Sequence, residues 1–167
     1  VFSTDSAFAA LRADGSVVTW GSVGGDSSSV ATKLDGSIDV TQVFSTSGAF
    51  AALRADGSVV TWGGQYVHGA PGSVVFISYG GDSSVIATEL DGTIDVKEVF
   101  STDSAFAALR ADGSVVTWGE LSSSGDSGAV ATQLDGTIDV KEVFSTDSAF
   151  AALRADGSVV TWGSVGG

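Results

Sequence analysis

The chain has 167 residues and a formal net charge of −13, with seven lysines and arginines against twenty aspartates and glutamates. Phosphate contacts need clustered basic residues, so this balance argues against a nucleic-acid partner. There is no cysteine and only one histidine, which excludes disulfides, thiol catalysis, cysteine-type zinc sites and multi-histidine metal sites.

A 21-residue unit, VFSTDSAFAALRADGSVVTWG, opens the chain at 1–21 and recurs without change at 99–119 and 143–163. A fourth copy at 43–63 differs only in carrying Ser47 and Gly48 in place of Asp and Ser. The four units therefore start at residues 1, 43, 99 and 143. We interpret 1–167 as a single repeat domain.

Each unit reads as a three-stranded antiparallel meander. In the first unit, short apolar runs at 1–4, 7–11 and 17–20 are the predicted strands. Asp14-Gly15 between two of them predicts a type I′ hairpin turn. By strand alternation Phe8, Ala10, Val18 and Trp20 share one face, and both faces are largely apolar. Such sheets need cover on both sides, and neighbouring units are the simplest source of it.

A second module of about 19 residues lies between consecutive units, at 24–42, 80–98 and 124–142. In the first copy Asp26 is placed to cap a short helix over Ser28–Leu34, with Gly36 after its C-terminus. Ile38 and Val40 then alternate as in a strand that continues into the next unit. The fourth connector is missing. The fold class expected is mainly β: a propeller-like ring or stacked array of four three-stranded antiparallel units with short helical connectors.

The run from Val40 to Leu53, followed by Asp56-Gly57, Val59 and Trp62-Gly63, resembles repeats of the regulator of chromosome condensation family. The Phe-Ala-Ala-Leu, Val-Val-Thr-Trp-Gly and Gly-Asp-Ser-Ser segments are most similar to a divergent subgroup in repetitive proteins of bacteria and unicellular algae. This resemblance implies a β-propeller-like fold and a binding or scaffolding role. It does not extend to nucleotide exchange, because unit two has Ala49 where the family usually has histidine.

Candidate chemistry is sparse. The seven Asp-Gly pairs are explained by turns and lack the spacing of a calcium-binding loop. The Gly-Gly-Asp-Ser-Ser segments lack the lysine of a phosphate loop, and no Gly-x-Ser-x-Gly elbow is present. We therefore expect no enzymatic activity, no catalytic residues, no metal and no cofactor. Repetition of the four tryptophans favours packing between units over ligand stacking.

Unit two breaks the repeat with fourteen extra residues between Gly63 and Gly80. The insertion, 64–79, carries no charge and holds the only histidine, the only proline and both tyrosines. Because part of it echoes 57–62, it is interpreted as a partial duplication that adds a strand at a sheet edge. The residues expected to contact a partner are Trp62, Tyr66, His68, Phe76 and Tyr79. A decorated loop without a partner remains the alternative.

We expect a non-enzymatic structural or interaction module, a scaffold or linker in a larger assembly or repetitive protein, with a protein partner. One alternative is a carbohydrate-binding module that uses Trp62, Tyr66 and Tyr79. Another is an engineered repeat protein, since the units are nearly identical. No stretch of 18 apolar residues occurs, so membrane insertion is not expected, and the localisation is left open. Methionine is missing even at position 1, so we expect a processed or excised chain.

Overall fold

The computed structural model describes residues 1–68, 75–122 and 124–164, with backbone alone at 65–68 and 75–78. Each unit forms a three-stranded antiparallel sheet whose strands are neighbours in chain order, so the predicted meander is confirmed. The strands are β1 (Phe2–Ser3), β2 (Ala7–Leu11), β3 (Val17–Gly21), β4 (Val40–Ser45), β5 (Ala49–Arg54), β6 (Val59–Gly63), β7 (Gln65–His68), β8 (Val75–Ser78), β9 (Val96–Ser101), β10 (Ala105–Arg110), β11 (Val115–Gly119), β12 (Val140–Ser145), β13 (Ala149–Arg154) and β14 (Val159–Gly163).

The hairpin turn between β2 and β3 differs from the predicted type I′ turn. Only Gly15 has a positive φ, of 76°, and no residue other than glycine has one in the described part of the chain. The turn closes through the Gly15 N–H bonded to the Arg12 carbonyl at 3.1 Å. The Arg12 N–H then bonds to the Ser16 carbonyl at 2.9 Å. This is the longer hairpin loop with one left-handed glycine, which lets Asp14 keep an ordinary backbone conformation.

The aspartate of this turn is held by hydrogen bonds from the serine two positions later. The Ser16 side chain and the Ser16 N–H donate to Asp14 Oδ1 at 2.6 and 3.0 Å. These bonds, with that from the Ser16 side chain the stronger, lower the pKa of the Asp14 carboxyl below its ordinary value of 3.8. Similar hydrogen bonds lower the pKa of six further carboxyls: Asp26, Asp35, Asp82, Asp91, Asp135 and Asp156.

This set of carboxyls predicts a loss of stability in acid. A pKa that is lower in the folded chain gives stability that is present above the ordinary value of 3.8 and is lost as the pH falls through the lowered values. We expect the free energy of unfolding, measured by urea denaturation, to decline below about pH 4. The net charge of −13 acts in the opposite direction, because protonation relieves repulsion. Stability that rises steadily down to about pH 3 would mean that repulsion outweighs the turn hydrogen bonds.

The connectors contain short 3-10 helices, at Ser28–Lys33, Ser84–Ile86 and Gly128–Gln133, in place of the predicted helix over Ser28–Leu34. Their hydrogen bonds span three residues, as from the Leu34 N–H to the Ala31 carbonyl, because one or two turns are too short to sustain an α-helix. Asp26 does accept the Ser28 N–H, at 2.9 Å. Residues 34–38 form bends, so the following strand begins at Val40 and does not include Ile38.

The sheets pack face against face. We call the side with Phe8, Ala10, Val18 and Trp20 in unit one, and its equivalents elsewhere, the aromatic face; the opposite side is the alanine face. At each boundary the alanine face of one unit packs on the aromatic face of the next, around one connector leucine, as the sequence alternation predicts. Between units one and two the buried residues are Ala7, Ala9, Val17, Leu34, Val40, Val43, Phe50, Ala52, Val60 and Trp62.

A line of backbone hydrogen bonds joins the units along the turns that precede their second strands. The Asp5 N–H donates to the Ser47 carbonyl at 3.1 Å, and the Ser47 N–H to the Asp103 carbonyl at 2.9 Å. The Asp103 N–H donates in turn to the Asp147 carbonyl at 2.9 Å. The first strands of neighbouring units are also in contact, so the sheets converge on this line as blades do on a propeller axis.

Within the described ranges, no helix is both long enough and apolar enough to cross a membrane.

Candidate interaction surfaces

The insertion forms a hairpin of its own. Strands β7 and β8 pair antiparallel, with Gln65 opposite Ser78 and His68 opposite Val75, and they make a separate two-stranded sheet. The predicted extra strand at the edge of a unit sheet is therefore wrong. Strand β6 ends at Gly63 on a left-handed glycine with φ 88°, followed by Gly64 with φ 76°, and these two residues turn the chain away from the sheet.

Of the five residues predicted to contact a partner, Trp62 and Tyr79 have side chains that the structure describes. Trp62 is only 2% exposed and stacks on Phe50 with ring centroids 5.3 Å apart. Unit one covers its side chain, so Trp62 does not reach a partner while the sheets are packed. Tyr66, His68 and Phe76 lie on β7 and β8, and their side chains fall outside the described part of the structure. Tyr79 lies at the base of the hairpin.

Tyr79 fastens the hairpin to unit two. Its N–H donates to the Gly64 carbonyl at 3.0 Å, which closes the base of the insertion. Its carbonyl accepts a hydrogen bond of 2.7 Å from Thr46 Oγ1. In unit three the equivalent Thr102 bonds instead to the hydroxyl of the fully buried Ser124, also at 2.7 Å. The same threonine therefore anchors the segment after the Trp-Gly pair in both units, with or without an insertion.

Gly48 accommodates the Tyr79 ring. A Cβ atom at position 48 would lie 2.7 Å from Tyr79 Cδ2 and 2.9 Å from Tyr79 Cγ, closer than real Cβ contacts come. The other three units have serine at this position, and only the unit with the insertion has glycine. The sequence signal was present, because Gly48, one of the two departures of unit two from the repeat, lies against the residue that the insertion brings in.

We expect the Gly48→Ser variant, which restores the repeat residue, to destabilise the hairpin base by about 1–3 kcal/mol, because the new side chain overpacks against the Tyr79 ring. Limited proteolysis should then cut the insertion faster than in the wild type. The double variant Gly48→Ser, Tyr79→Val should regain resistance, since valine stands at the equivalent position 23 of unit one. Equal cleavage rates in all three proteins would contradict the contact.

A polar depression of about 440 Å³ lies where the sheets converge. It is lined by the Ser-Thr-Asp turns of units one, three and four and by Ser45-Thr46-Ser47 of unit two. Asp5, Asp103 and Asp147 give it acidic walls, but no group of three potential metal ligands is found among the described residues. The threonines here support their own turns, as Thr4 Oγ1 does by accepting the Ala7 N–H at 3.0 Å. The depression is therefore explained by turn structure.

Two apolar faces remain uncovered, at opposite ends of the row of sheets. The aromatic face of unit one leaves Phe8 45% and Trp20 47% exposed, although the two rings stack at 5.4 Å as in the other units. The alanine face of unit four leaves Val159 60% exposed, whereas its equivalents are buried. Those equivalents are Val17, Val59 and Val115.

Neither a protein-family model nor a curated protein sequence matches the chain. Solved structures do match. Yeast RCC1 (Prp20) bound to Kap60 is 17% identical with a TM-score of 0.59 over 96% of this chain and 42% of that one. Prp20p of Saccharomyces cerevisiae, described with its binding to Gsp1p and histones, is 18% identical with a TM-score of 0.60 over 96% and 43%. The CRINKLY WD40 ectodomain of the Arabidopsis thaliana receptor kinase ACR4 is 17% identical with a TM-score of 0.55 over 96% and 55%.

These similarities establish the fold class as that of propeller repeats, and the particular fold as RCC1-like. The resemblance seen in the sequence is thus confirmed for the fold. The chain spans less than half the length of the Prp20 chains that it matches and about half that of the ACR4 ectodomain.

Proposed function

We propose that this chain is a non-enzymatic interaction module that presents the 64–79 hairpin to a protein partner from a rigid platform of repeats. The observation that carries the proposal is the fit between Tyr79 and Gly48. An insertion without consequence for the fold needs no matching change in the unit that carries it. In unit two, glycine replaces the serine of the other units at position 48, which leaves room for the Tyr79 ring.

The repeated aspartates and threonines of the units hold turns and connectors through hydrogen bonds. The aspartates of the hairpin turns accept hydrogen bonds from the serines that follow them, at 2.6 Å for both Asp14 and Asp56. Thr19 bonds to the Gly25 carbonyl at 2.7 Å, and Thr61 bonds to the Gly81 carbonyl at 3.0 Å. These contacts recur from unit to unit, which favours a structural role for the residues over catalysis.

A protein is the partner class that the hairpin suits best. Residues 64–79 are uncharged in a chain of net charge −13, so contact with this segment removes no ion from water. A two-stranded hairpin also exposes backbone donors and acceptors along its edges, which can pair with an extended segment of another chain. Prp20, whose fold is similar, has been solved bound to Kap60, so a protein containing this fold has a protein partner in that structure.

The test is deletion of residues 64–77 together with Gly48→Ser and Tyr79→Val. This variant gives unit two the sequence Gly-Ser-Val-Gly-Gly-Asp after its tryptophan, identical to 21–26 of unit one, where the short link already folds. The control is Val85→Glu, at an 88% exposed position of the connector that follows. The unfolding midpoint should be unchanged in both, and the far-UV circular dichroism of the deletion variant should differ only by the loss of the two hairpin strands.

The immobilised wild-type chain and the immobilised Val85→Glu control should retain the same protein from an extract of the source cells. In solution, one molecule of that protein should bind per chain. The deletion variant should not retain it. Equal retention by the deletion variant would assign binding to the repeated surface, where more than one copy per chain would bind. Binding to a glycan array that is lost in Tyr66→Ala would instead support the carbohydrate-binding alternative.

A further inference from the structure

We propose that the two uncovered faces associate between copies of this chain, so that the alanine face of unit four in one copy packs on the aromatic face of unit one in the next. This surface is separate from the 64–79 hairpin, and the inference does not depend on the function proposed for that segment.

The two open faces have the same sequences as two faces that pack together inside the chain. Units one and four have the same 21-residue sequence, which is also that of unit three. Inside the chain, the alanine face of unit three and the aromatic face of unit four form a dry core with Phe150 and Trp162 buried. The two faces left open at the ends are copies of these two, so they are complementary to each other by the same geometry that the chain already uses three times.

The line of backbone hydrogen bonds between units ends, within the described residues, on an unpaired donor at unit four and an unpaired acceptor at unit one. Each unit donates the N–H of its turn to the carbonyl of the next unit, and the last carbonyl to accept is that of Asp147. Among the described residues, the Asp147 N–H has no acceptor of its own and the Asp5 carbonyl has no donor. Head-to-tail packing would place a donor and an acceptor of this kind together at the new boundary.

The uncovered groups favour burial. The Phe8 and Trp20 rings together carry much of the exposed aromatic area at one end, and Val159 and Phe144 are more than half exposed at the other. Removing apolar surface of this kind from water is favourable.

By strand alternation Arg12 lies on the aromatic face, and Glu142 pairs with Leu153 on the alanine face. Their equivalents Arg154 and Glu98 have the same places at the boundary between units three and four, so a core of this kind packs with both charges present.

Two features make this contact weaker than an internal boundary. Each internal core also contains a buried connector leucine, and these are Leu34, Leu90 and Leu134. The described part of unit four, which ends at residue 164, brings no such leucine to its open face. Each copy also carries a net charge of −13, and like charges oppose association. We therefore expect reversible association that strengthens with salt, because salt screens the repulsion.

The contact joins two different surfaces, so it is heterologous: it closes into a ring when the rotation per copy allows and otherwise extends into a filament. Because the sheets converge on an axis, each successive copy is rotated about that axis. Two copies together contain eight unit sheets. A closed dimer is the smallest ring and is the product that we expect.

Analytical ultracentrifugation of the full chain tests the inference between about 1 and 200 µM, at about 0.05 and 0.5 M NaCl. The variants are Trp20→Glu on one face and Val159→Glu on the other, with Val85→Glu as the charge-matched control away from both. All three positions are exposed, so circular dichroism should show folded chains. Wild type and control should associate, more strongly in high salt, and each face variant alone should remain monomeric, with a dissociation constant raised about tenfold or more.

Mixing the two face variants gives the decisive result. Each retains the face that the other has lost, so the mixture should form a one-to-one dimer through a single intact contact. Polymers longer than dimers in the wild type, abolished by either variant, would support the same contact with an open geometry. The inference is overturned if the wild type stays monomeric throughout, if only one face variant abolishes association, or if the mixture fails to associate.

Discussion

The Phe106→Ala variant is expected to lose about 3–5 kcal/mol of the free energy of unfolding. Phe106 is fully buried in the core between units two and three, and its ring stacks on Trp118 at 5.3 Å. Removal of the ring leaves a cavity bounded by two sheets, which can close only by moving one unit against the other. Urea denaturation monitored by circular dichroism measures the change.

The Phe8→Ala variant is the matched control. The change is the same, within the same local sequence and beside the same stacked tryptophan, but Phe8 is 45% exposed because no unit covers it. We expect a loss of about 1 kcal/mol in dilute protein. Equal losses at the two positions would mean that packing between units is not what gives Phe106 its importance.

The Gly57→Ala variant should also be strongly destabilised, by about 2–5 kcal/mol. Gly57 has φ 75°, and a Cβ there would lie 2.7 Å from Asp95 Cα, in the connector that folds over this turn. The Gly57 carbonyl also accepts the Val96 N–H at 2.9 Å, so the two backbones cannot separate freely. Strain at a left-handed position and a clash with backbone therefore add together.

Gly157→Ala separates these two contributions. Gly157 occupies the same turn in unit four, with φ 83°, but a Cβ there meets nothing within 4 Å. Only the left-handed strain remains, and the expected loss is about 1–2 kcal/mol. If Gly57→Ala costs no more than Gly157→Ala in urea denaturation, the connector does not pack on the turn as described.

The meander, its strands and the division of each sheet into two apolar faces could be predicted because alternation with a period of two is a local property. The pattern at 7–11 and 17–20 assigns each side chain to a face without knowledge of any neighbour. The type of hairpin turn and the type of connector helix could not be predicted in the same way. Asp-Gly suits several hairpin loops, and the choice depends on where the Arg12 and Ser16 backbones pair. A helix of six residues has too few hydrogen bonds for its sequence to determine its type.

The site was predicted less well than the fold, since it depends on contacts between units. Repetition of the tryptophans favoured packing, while the position of Trp62 beside the insertion suggested a contact residue, and the packing of unit one over it shows that it is a core residue. In the sequence, Gly48 is only a departure from the repeat, and its role became visible when Tyr79 was placed beside it. In both cases the deciding neighbour lies more than thirty positions away in the sequence.

The aromatic face is buried at every internal boundary and exposed on unit one. Labelling the wild-type chain with 5-fluorotryptophan tests this directly, because each unit contributes one tryptophan and loss of a fluorine resonance in each Trp→Phe variant assigns it. In dilute protein the Trp20 resonance should show a large shift between H₂O and D₂O, and those of Trp62, Trp118 and Trp162 should show little. Four similar shifts, or a shielded Trp20 at every protein concentration, would contradict the account.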